Sequence, residues 1–174
     1  MPADKYRVFL WDMPGHGASI TQPSPPVNLV HQHARLAALI EHRHLSRPNV
    51  VAHDIGGAVA FGAHLLEGCE FASLYRVDVV TLDPCGSPFF HLVPEHEHAF
   101  SGLPSNLHAV LVQEYVAGAA GTGLDAMAQP CRSPEGQAAF YRQITQLSPS
   151  HTLPLEAPNP LSQDILLWLE TLDT

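Results

Sequence analysis

The sequence is poor in basic residues, and lysine is nearly absent. Of the 174 residues, eight are lysine or arginine and 17 are aspartate or glutamate, which gives a formal net charge of −9 at pH 7. The one lysine is Lys5. Nucleic acids and anionic membranes attract proteins through clustered positive charge. The composition therefore argues against nucleic acid and against a membrane as partners.

Cysteines are few, and long apolar runs are lacking. Cys69, Cys85 and Cys131 are widely separated, and none belongs to a Cys-x-x-Cys pair, so neither a disulfide framework nor a zinc ribbon is predicted. No stretch approaches the roughly 18 apolar residues of a membrane-spanning helix. The first residues also lack the apolar centre of a signal peptide. We therefore predict a soluble cytoplasmic protein with free thiols.

The apolar content that is present suffices for a folded core. Hydrophobic residues make up 45% of the sequence and charged residues 14%, which argues against disorder. Short apolar runs predict strands over 7–11, 49–52 and 74–82. Helical patterns over 30–42 and 58–66 lie between them. This alternation predicts an α/β fold, with a parallel sheet and crossover helices.

Beyond residue 84 the pattern becomes helical. Short helices are predicted over 96–100, 106–116 and 135–147, and a proline-rich connector and an apolar run that fits a strand follow. We therefore predict three parts: a core over 1–84, a helical insertion with the connector over 85–160, and a last core strand over 161–174.

The segment that joins the second predicted strand to its helix carries the most chemical information. Asp54 lies at the apex of the turn, with the small residues Ala52 and Gly56 two positions away on either side. We expect small residues there because larger side chains would collide in so sharp a bend. This is the pattern of a nucleophile elbow, with aspartate as the nucleophile. The structural alternative is a helix N-cap, for which aspartate is also well suited.

Residues 53–57 (HDIGG) resemble the elbow of the α/β-hydrolase family, in particular of its epoxide hydrolases and haloalkane dehalogenases. Residues 12–19 (DMPGHGAS) are similar to the family's Asp-x-Pro-Gly-x-Gly-x-Ser turn, and the helical insertion lies where the family has its cap. Residues 165–173 are similar in part to the strand and acid loop that follow the cap. The resemblance covers most of the chain and implies a partial α/β-hydrolase fold.

The resemblance implies a role for each matching residue. Asp54 would attack an sp³ carbon of an electrophilic small molecule and form an alkyl-enzyme ester, which a histidine-activated water would hydrolyse. The N–H of Ile55 would be one donor of the oxyanion hole, and Asp173 the acid of the triad. The residues implied as support of the elbow are Ala52, His53, Gly56 and Gly57.

Other titratable residues have weaker assignments. Tyr115 and Tyr141, in the cap region, are candidate proton donors to an opening epoxide, and packing is the alternative for each. Asp78 lies on the third predicted strand, where a structural role is favoured over that of a second acid. The family needs no cofactor, and the histidine clusters lack the spacing of a metal site.

Three functions remain open at this point. An epoxide-hydrolase-like enzyme is favoured, because Ile55 stands where haloalkane dehalogenases usually have a tryptophan that holds the halide. The alternatives are a haloalkane or haloacid dehalogenase, and a catalytically incomplete fragment or pseudoenzyme that acts only by binding. The family's oxyanion-hole loop and catalytic histidine have no match here, so we expect a chain truncated at both ends. Exposed sheet edges would then favour self-association.

Overall fold

The computed structural model describes residues 6–80, 86–116 and 128–147. Contacts divide the chain into two compact units. The sheet unit comprises Pro26–Glu97 with Gln143–Thr174, and the helical unit comprises Met1–Pro25 with His98–Arg142. Asp173, Cys85 and the predicted connector and last strand lie outside the described residues. The division into core, cap and last strand therefore remains a prediction.

The sheet unit contains two parallel strands joined by a crossover helix. Its elements, in chain order, are α1 (Leu29–His42), β1 (Asn49–Asp54), α2 (Ile55–Leu65), β2 (Ser73–Val79) and α3 (Pro88–Glu95). β1 and β2 pair in parallel, with Asn49 opposite Ser73. Strand, helix and parallel strand in this order confirm the predicted α/β class. The helix α3 was not predicted, because Pro88 at its start and Pro94 within it interrupt the helical pattern.

The core of the sheet unit lies on one face of the sheet. α2 is apolar almost all round and contacts both strands as well as α1. Ala52 of β1 is buried, as are Ala58, Val59 and Ala63 of α2. Small side chains on α2 let the helix approach the strands closely, and its lack of polar residues suits a helix that is covered on several sides.

The backbone of Val27, two residues before α1, is hydrogen-bonded at both its N–H and its carbonyl group. Asn28 caps the helix by accepting a hydrogen bond from the N–H of His31 at 3.1 Å. The N–H of Val27 donates to Oε1 of Gln146 at 2.9 Å, and its carbonyl accepts from Nε2 of Gln32 at 3.3 Å. The buried Val27 backbone is therefore satisfied by side chains that lie far apart in the sequence.

The opposite face of the sheet is exposed among the described residues. Side chains alternate along a strand, so one face carries six residues, which we name the open sheet face: Asn49, Val51, His53, Ser73, Tyr75 and Val77. Val51 is 74% exposed and Tyr75, its partner across the strands, is 68% exposed. No aspartate, glutamate, lysine or arginine belongs to this face.

The strand predicted over residues 7–11 is not formed, and this prediction was wrong. The segment has no regular secondary structure, and Leu10 within it is 92% exposed. A strand needs a neighbour that pairs with its backbone groups, and within the described residues β1 and β2 pair with each other alone. Apolar character predicted burial for this run, but not the partner that burial in a sheet requires.

The helical unit contains a short 3₁₀ turn at Gly17–Ser19 and a set of helices later in the chain. These are α4 (Glu97–Ser101), α5 (Ser105–Val116), a 3₁₀ turn at Gln129–Arg132 and α6 (Pro134–Gln146). The first residue of α4 and the last four residues of α6 belong to the sheet unit. The three predicted helices of this region are confirmed, each within one residue of the predicted bounds. No helix within the described ranges is long and apolar enough to cross a membrane.

Candidate active site

Asp54 lies where β1 ends and α2 begins, with its backbone in an unusual conformation. Its φ is 50° and its ψ −129°, a region that residues with a side chain rarely adopt. Such a conformation costs on the order of 1–3 kcal/mol and persists where the surrounding structure enforces it. Strained residues of this kind cluster at active sites, which makes Asp54 the starting point for the site.

The carboxylate of Asp54 is not engaged as a helix cap. Asp54 occupies the N-cap position of α2, but its side chain accepts no capping hydrogen bond, and the residue is exposed. Asp54 therefore has the N-cap position that the structural alternative predicts, but its side chain does not cap the helix. The first N–H groups of α2, beginning with that of Ile55, have no partners within the helix, and the helix dipole favours negative charge at this end. The Asp54 carboxylate therefore lies at the end of α2 where the first backbone N–H groups of the helix can donate hydrogen bonds.

The two glycines that follow Asp54 differ in their surroundings. No described atom lies within 4 Å of a Cβ built on Gly56, so the expectation that a side chain there would collide is wrong. A Cβ on Gly57 would overlap the side chain of Val79 on β2, at 2.5 Å from its Cγ1. The close approach that the elbow requires is therefore between α2 and β2, one residue later than predicted.

The strand β2 also holds the elbow through its backbone. The N–H of Val80 donates to the carbonyl oxygen of Asp54 at 3.1 Å, and Val79 is the residue opposite Asp54 in the sheet. Ala52 is buried against the helices, whereas His53 is exposed on the open sheet face. The ring of His53 and the methyl group of Ala52 therefore lie on opposite faces of the sheet.

The turn over residues 12–19 is a self-contained structure in the helical unit. Oδ2 of Asp12 accepts a hydrogen bond from the N–H of Ala18 at 2.8 Å. Gly17 has a φ of 45°, and a Cβ there would lie 2.5 Å from the same carboxylate oxygen, so glycine is required. Burial lowers the pKa of His16, whose Nδ1 lies 3.3 Å from the carbonyl oxygen of Pro14. The residues of this turn therefore stabilise one another.

The two candidate tyrosines of the helical unit have different environments. Tyr141 is completely buried, and its hydroxyl lies 2.9 Å from Nδ1 of His108. Tyr115 is 42% exposed, and its ring packs edge-on against Phe140. Both tyrosines belong to the helical unit, whereas Asp54 belongs to the sheet unit. The proton-donor role of both remains a prediction, as does the acid role of Asp173.

His108 is the residue that the sequence analysis missed. It is completely buried, and burial lowers its pKa. The signal in the sequence was its position four residues before Val112, which places both side chains on one face of a helix and both in the interior. Among the described residues, no three histidine, cysteine, aspartate or glutamate side chains form a group that could hold a metal ion.

Comparisons with known proteins extend this picture. The sequence pattern of the Alpha/beta hydrolase family matches residues 2–173. A crystal structure of an alpha/beta hydrolase fold protein from Burkholderia ambifaria is similar, with a TM-score of 0.73 and 41% sequence identity. The similarity covers 78% of this chain and 52% of that one, so the chain spans about half the length of that relative. No curated protein gives a significant match.

Proposed function

Because this chain belongs to the alpha/beta hydrolase family, we propose that Asp54 is the nucleophile of a hydrolase that opens an epoxide through an alkyl-enzyme ester. The family supports a hydrolase-type function, and the aspartate nucleophile and the epoxide are our proposal. The observation that carries it is the exposed Asp54 carboxylate, free of a capping hydrogen bond, on a strained turn between strand and helix.

The proposed first step forms one bond and breaks another. A carboxylate oxygen of Asp54 attacks a ring carbon of the epoxide, and the bond from that carbon to the ring oxygen breaks. The ring oxygen leaves as an alkoxide and takes a proton from an acid, which gives a hydroxyalkyl ester of Asp54. The aspartate is a suitable nucleophile because relief of ring strain compensates for its low basicity.

The second step restores the aspartate. Water attacks the carbonyl carbon of the ester while a base removes a proton from the water. The oxyanion that forms accepts a hydrogen bond from the N–H of Ile55. Collapse of this intermediate expels the diol and regenerates the carboxylate. Asp173 is the proposed partner of the base. His53, next to Asp54 in the sequence, is exposed on the open sheet face. The first step does not need the base, so it is the step that we propose to test.

Ile55 favours an epoxide over a haloalkane as the electrophile. Cleavage of a carbon–halogen bond releases a halide, which needs hydrogen-bond donors around it as its charge develops. The side chain of Ile55, directly after the nucleophile and half-buried, has no donor. An epoxide oxygen instead needs one proton, which a tyrosine hydroxyl can give. Tyr115 suits this role better than Tyr141, whose hydroxyl is bound to His108 in the interior.

The proposal is tested by trapping the ester. The protein is incubated with styrene oxide and, separately, with 1-bromohexane, and its intact mass is measured before the modified peptide is mapped. We expect one styrene oxide adduct on Asp54, absent in Asp54→Asn and retained in Glu70→Gln. Glu70 is the control because its side chain is a 78% exposed carboxylate outside the site. Circular dichroism shows that each variant is folded.

Each other outcome has a distinct meaning. An adduct that survives Asp54→Asn would show alkylation of some other carboxylate and would overturn the assignment. An adduct with 1-bromohexane alone would replace the epoxide with the haloalkane. A folded protein that forms no adduct with either reagent would leave the binding-only alternative and refute the nucleophile.

A further inference from the structure

The pairing of β1 with β2 contains one extra residue, and it lies beside Asp54. The register is one-to-one from Asn49 opposite Ser73 to His53 opposite Val77, and then Asp54 is opposite Val79. Asp78 is thus left without a counterpart on β1, and its φ is 43°. This is a β-bulge, an irregularity that is frequent next to active sites, where it redirects a side chain.

The bulge determines what the elbow contacts on β2. In an uninterrupted register Asp78, and not Val79, would be opposite Asp54. Two carboxylates would then face each other across adjacent strands, which is unfavourable. With the extra residue, the side chain of Val79 packs against Gly57 and the N–H of Val80 reaches the carbonyl oxygen of Asp54 at 3.1 Å. One hydrogen bond therefore holds the carbonyl group of Asp54, and one apolar contact holds the chain three residues later, at Gly57.

The contacts of Val79 and Val80 are made close to the strained backbone of Asp54. A φ of 50° at Asp54 persists only if its neighbours exclude the relaxed alternatives. The Val80 hydrogen bond fixes the carbonyl of Asp54, and Val79 fixes the start of α2 through Gly57. Both contacts depend on the left-handed conformation of Asp78, which directly precedes Val79. Aspartate tolerates that conformation better than most residues with a side chain, and β-branched residues tolerate it least.

We propose that Asp78 is a positioning residue that, through the bulge, fixes the orientation of Asp54 for attack. It acts by its backbone conformation and not by its carboxylate. The inference rests on the proposed role of Asp54 as nucleophile. A nucleophile displaced by about 1 Å can lose on the order of 100-fold in rate, so loss of the bulge should reduce ester formation far more than it reduces folding.

The test compares variants that differ in their tolerance of a positive φ. Asp78→Gly removes the carboxylate but keeps the bulge accessible, whereas Asp78→Val disfavours it. Arg47→Val is the matched control, since Arg47 has a φ of 45° and lies outside the elbow. The rate of ester formation at Asp54 with styrene oxide is measured by intact mass. Hydrogen exchange of the Val80 amide is measured by NMR.

We expect Asp78→Val to form the ester on the order of 10- to 100-fold more slowly, while Asp78→Gly and Arg47→Val retain the rate of the original protein. The Val80 amide should exchange faster in Asp78→Val alone. Equal slowing in Asp78→Gly would indicate that the carboxylate acts, and an unchanged rate in Asp78→Val would show that the bulge does not position Asp54. Either result overturns the inference.

Two alternative comparisons apply if Asp78→Val does not fold or if the original protein forms no ester. If Asp78→Val does not fold, Asp78→Ala takes its place, and equal rates in Asp78→Ala and Asp78→Gly refute the role. If the original protein forms no ester, the proposed function fails, and the exchange measurement alone decides about the bulge. Unchanged exchange at Val80 in the valine or alanine variant would then overturn the inference.

Discussion

The hydroxyl of Tyr141 donates a hydrogen bond to Nδ1 of His108, with 2.9 Å between the two atoms and both side chains completely buried. The direction of this hydrogen bond follows from the contact that the other ring nitrogen of His108 makes. Nε2 lies 2.9 Å from the carbonyl oxygen of Cys131, which can only accept, so Nε2 carries the proton and Nδ1 is the acceptor. The interior of the helical unit thus holds a neutral imidazole with both nitrogens satisfied.

Tyr141→Phe should destabilise the protein. The substitution leaves the buried Nδ1 of His108 without a donor, which costs on the order of 1–3 kcal/mol of the free energy of unfolding. Tyr115→Phe is the control, because its hydroxyl is on a partly exposed residue and the ring contact with Phe140 is retained. Urea denaturation followed by circular dichroism measures both. Equal stability of the two variants would contradict the donor role of Tyr141.

Stability should fall as the pH falls below about 6.5. Burial lowers the pKa of His108 and of His16, so below the ordinary histidine pKa of roughly 6.5 the unfolded chain binds protons that the folded chain does not. The free energy of unfolding then decreases by up to about 1.4 kcal/mol per pH unit for each histidine, until the lowered pKa is reached.

The corresponding measurement is urea denaturation at a series of pH values from neutral to mildly acidic. His108→Gln should show a shallower decrease than the original protein, since glutamine can accept from Tyr141 and donate to Cys131 without titrating. His42→Gln, on the exposed part of α1, is the matched control for the histidine-to-glutamine substitution. A slope that is the same in all three proteins would exclude His108 as its source.

Replacement of Asp54 by glycine should stabilise the fold relative to replacement by alanine. Glycine adopts a φ of 50° without the steric cost that alanine shares with aspartate, so Asp54→Gly is expected to be about 1 kcal/mol more stable than Asp54→Ala. Both variants lack the nucleophile and should form no ester. Thermal unfolding of the pair isolates the backbone strain, and equal stabilities would show that the turn relaxes on substitution.

The adjacent glycines of α2 should respond in opposite ways to alanine. Gly57→Ala introduces a methyl group into the side chain of Val79 and should cost about 1–3 kcal/mol. Gly56→Ala adds a methyl group within a helix, with no described atom within 4 Å, and should be neutral or stabilising by up to about 1 kcal/mol. Chemical denaturation distinguishes them. A destabilised Gly56→Ala with a normal Gly57→Ala would reverse the assignment of the close approach.

Self-association should depend on the open sheet face. This face contains no aspartate, glutamate, lysine or arginine, in a chain of net charge −9, so contact between two copies through it brings no carboxylates of the face together. Val51→Lys and Tyr75→Lys should each shift the protein towards monomer in sedimentation experiments. Val30→Lys is the control, since Val30 is 49% exposed but lies on α1. A monomeric original protein, or an equal effect of all three substitutions, would argue against this surface.

The elbow could be predicted from the sequence because its information is local. Small residues around Asp54 and the change from an apolar run to a helical pattern all lie within a dozen positions. The contact of Val79 with Gly57 could not be predicted, because it joins two elements whose register depends on the bulge. Nothing in the apolar run around Asp78 indicates that one residue there is unpaired.

Burial and pairing partners could not be predicted from the apolar pattern alone. The run over 7–11 is apolar enough for a strand, yet Leu10 is almost fully exposed, since pairing partners are not encoded within the run itself. Tyr141 is amphipathic, and sequence alone left open whether its hydroxyl faces a substrate or the interior. Its hydrogen bond to His108 connects positions 33 residues apart and depends on how α5 and α6 pack.

The hydrogen bond between Val27 and Gln146 joins residues 119 positions apart, whereas β1, α2 and β2 form a continuous segment. Closing a long loop costs more chain entropy than closing a short one, and that cost precedes the gain from the contact. We therefore expect β1, α2 and β2 to associate first as the chain leaves the ribosome. The support at the start of α1 would be completed only after α6 has been synthesised.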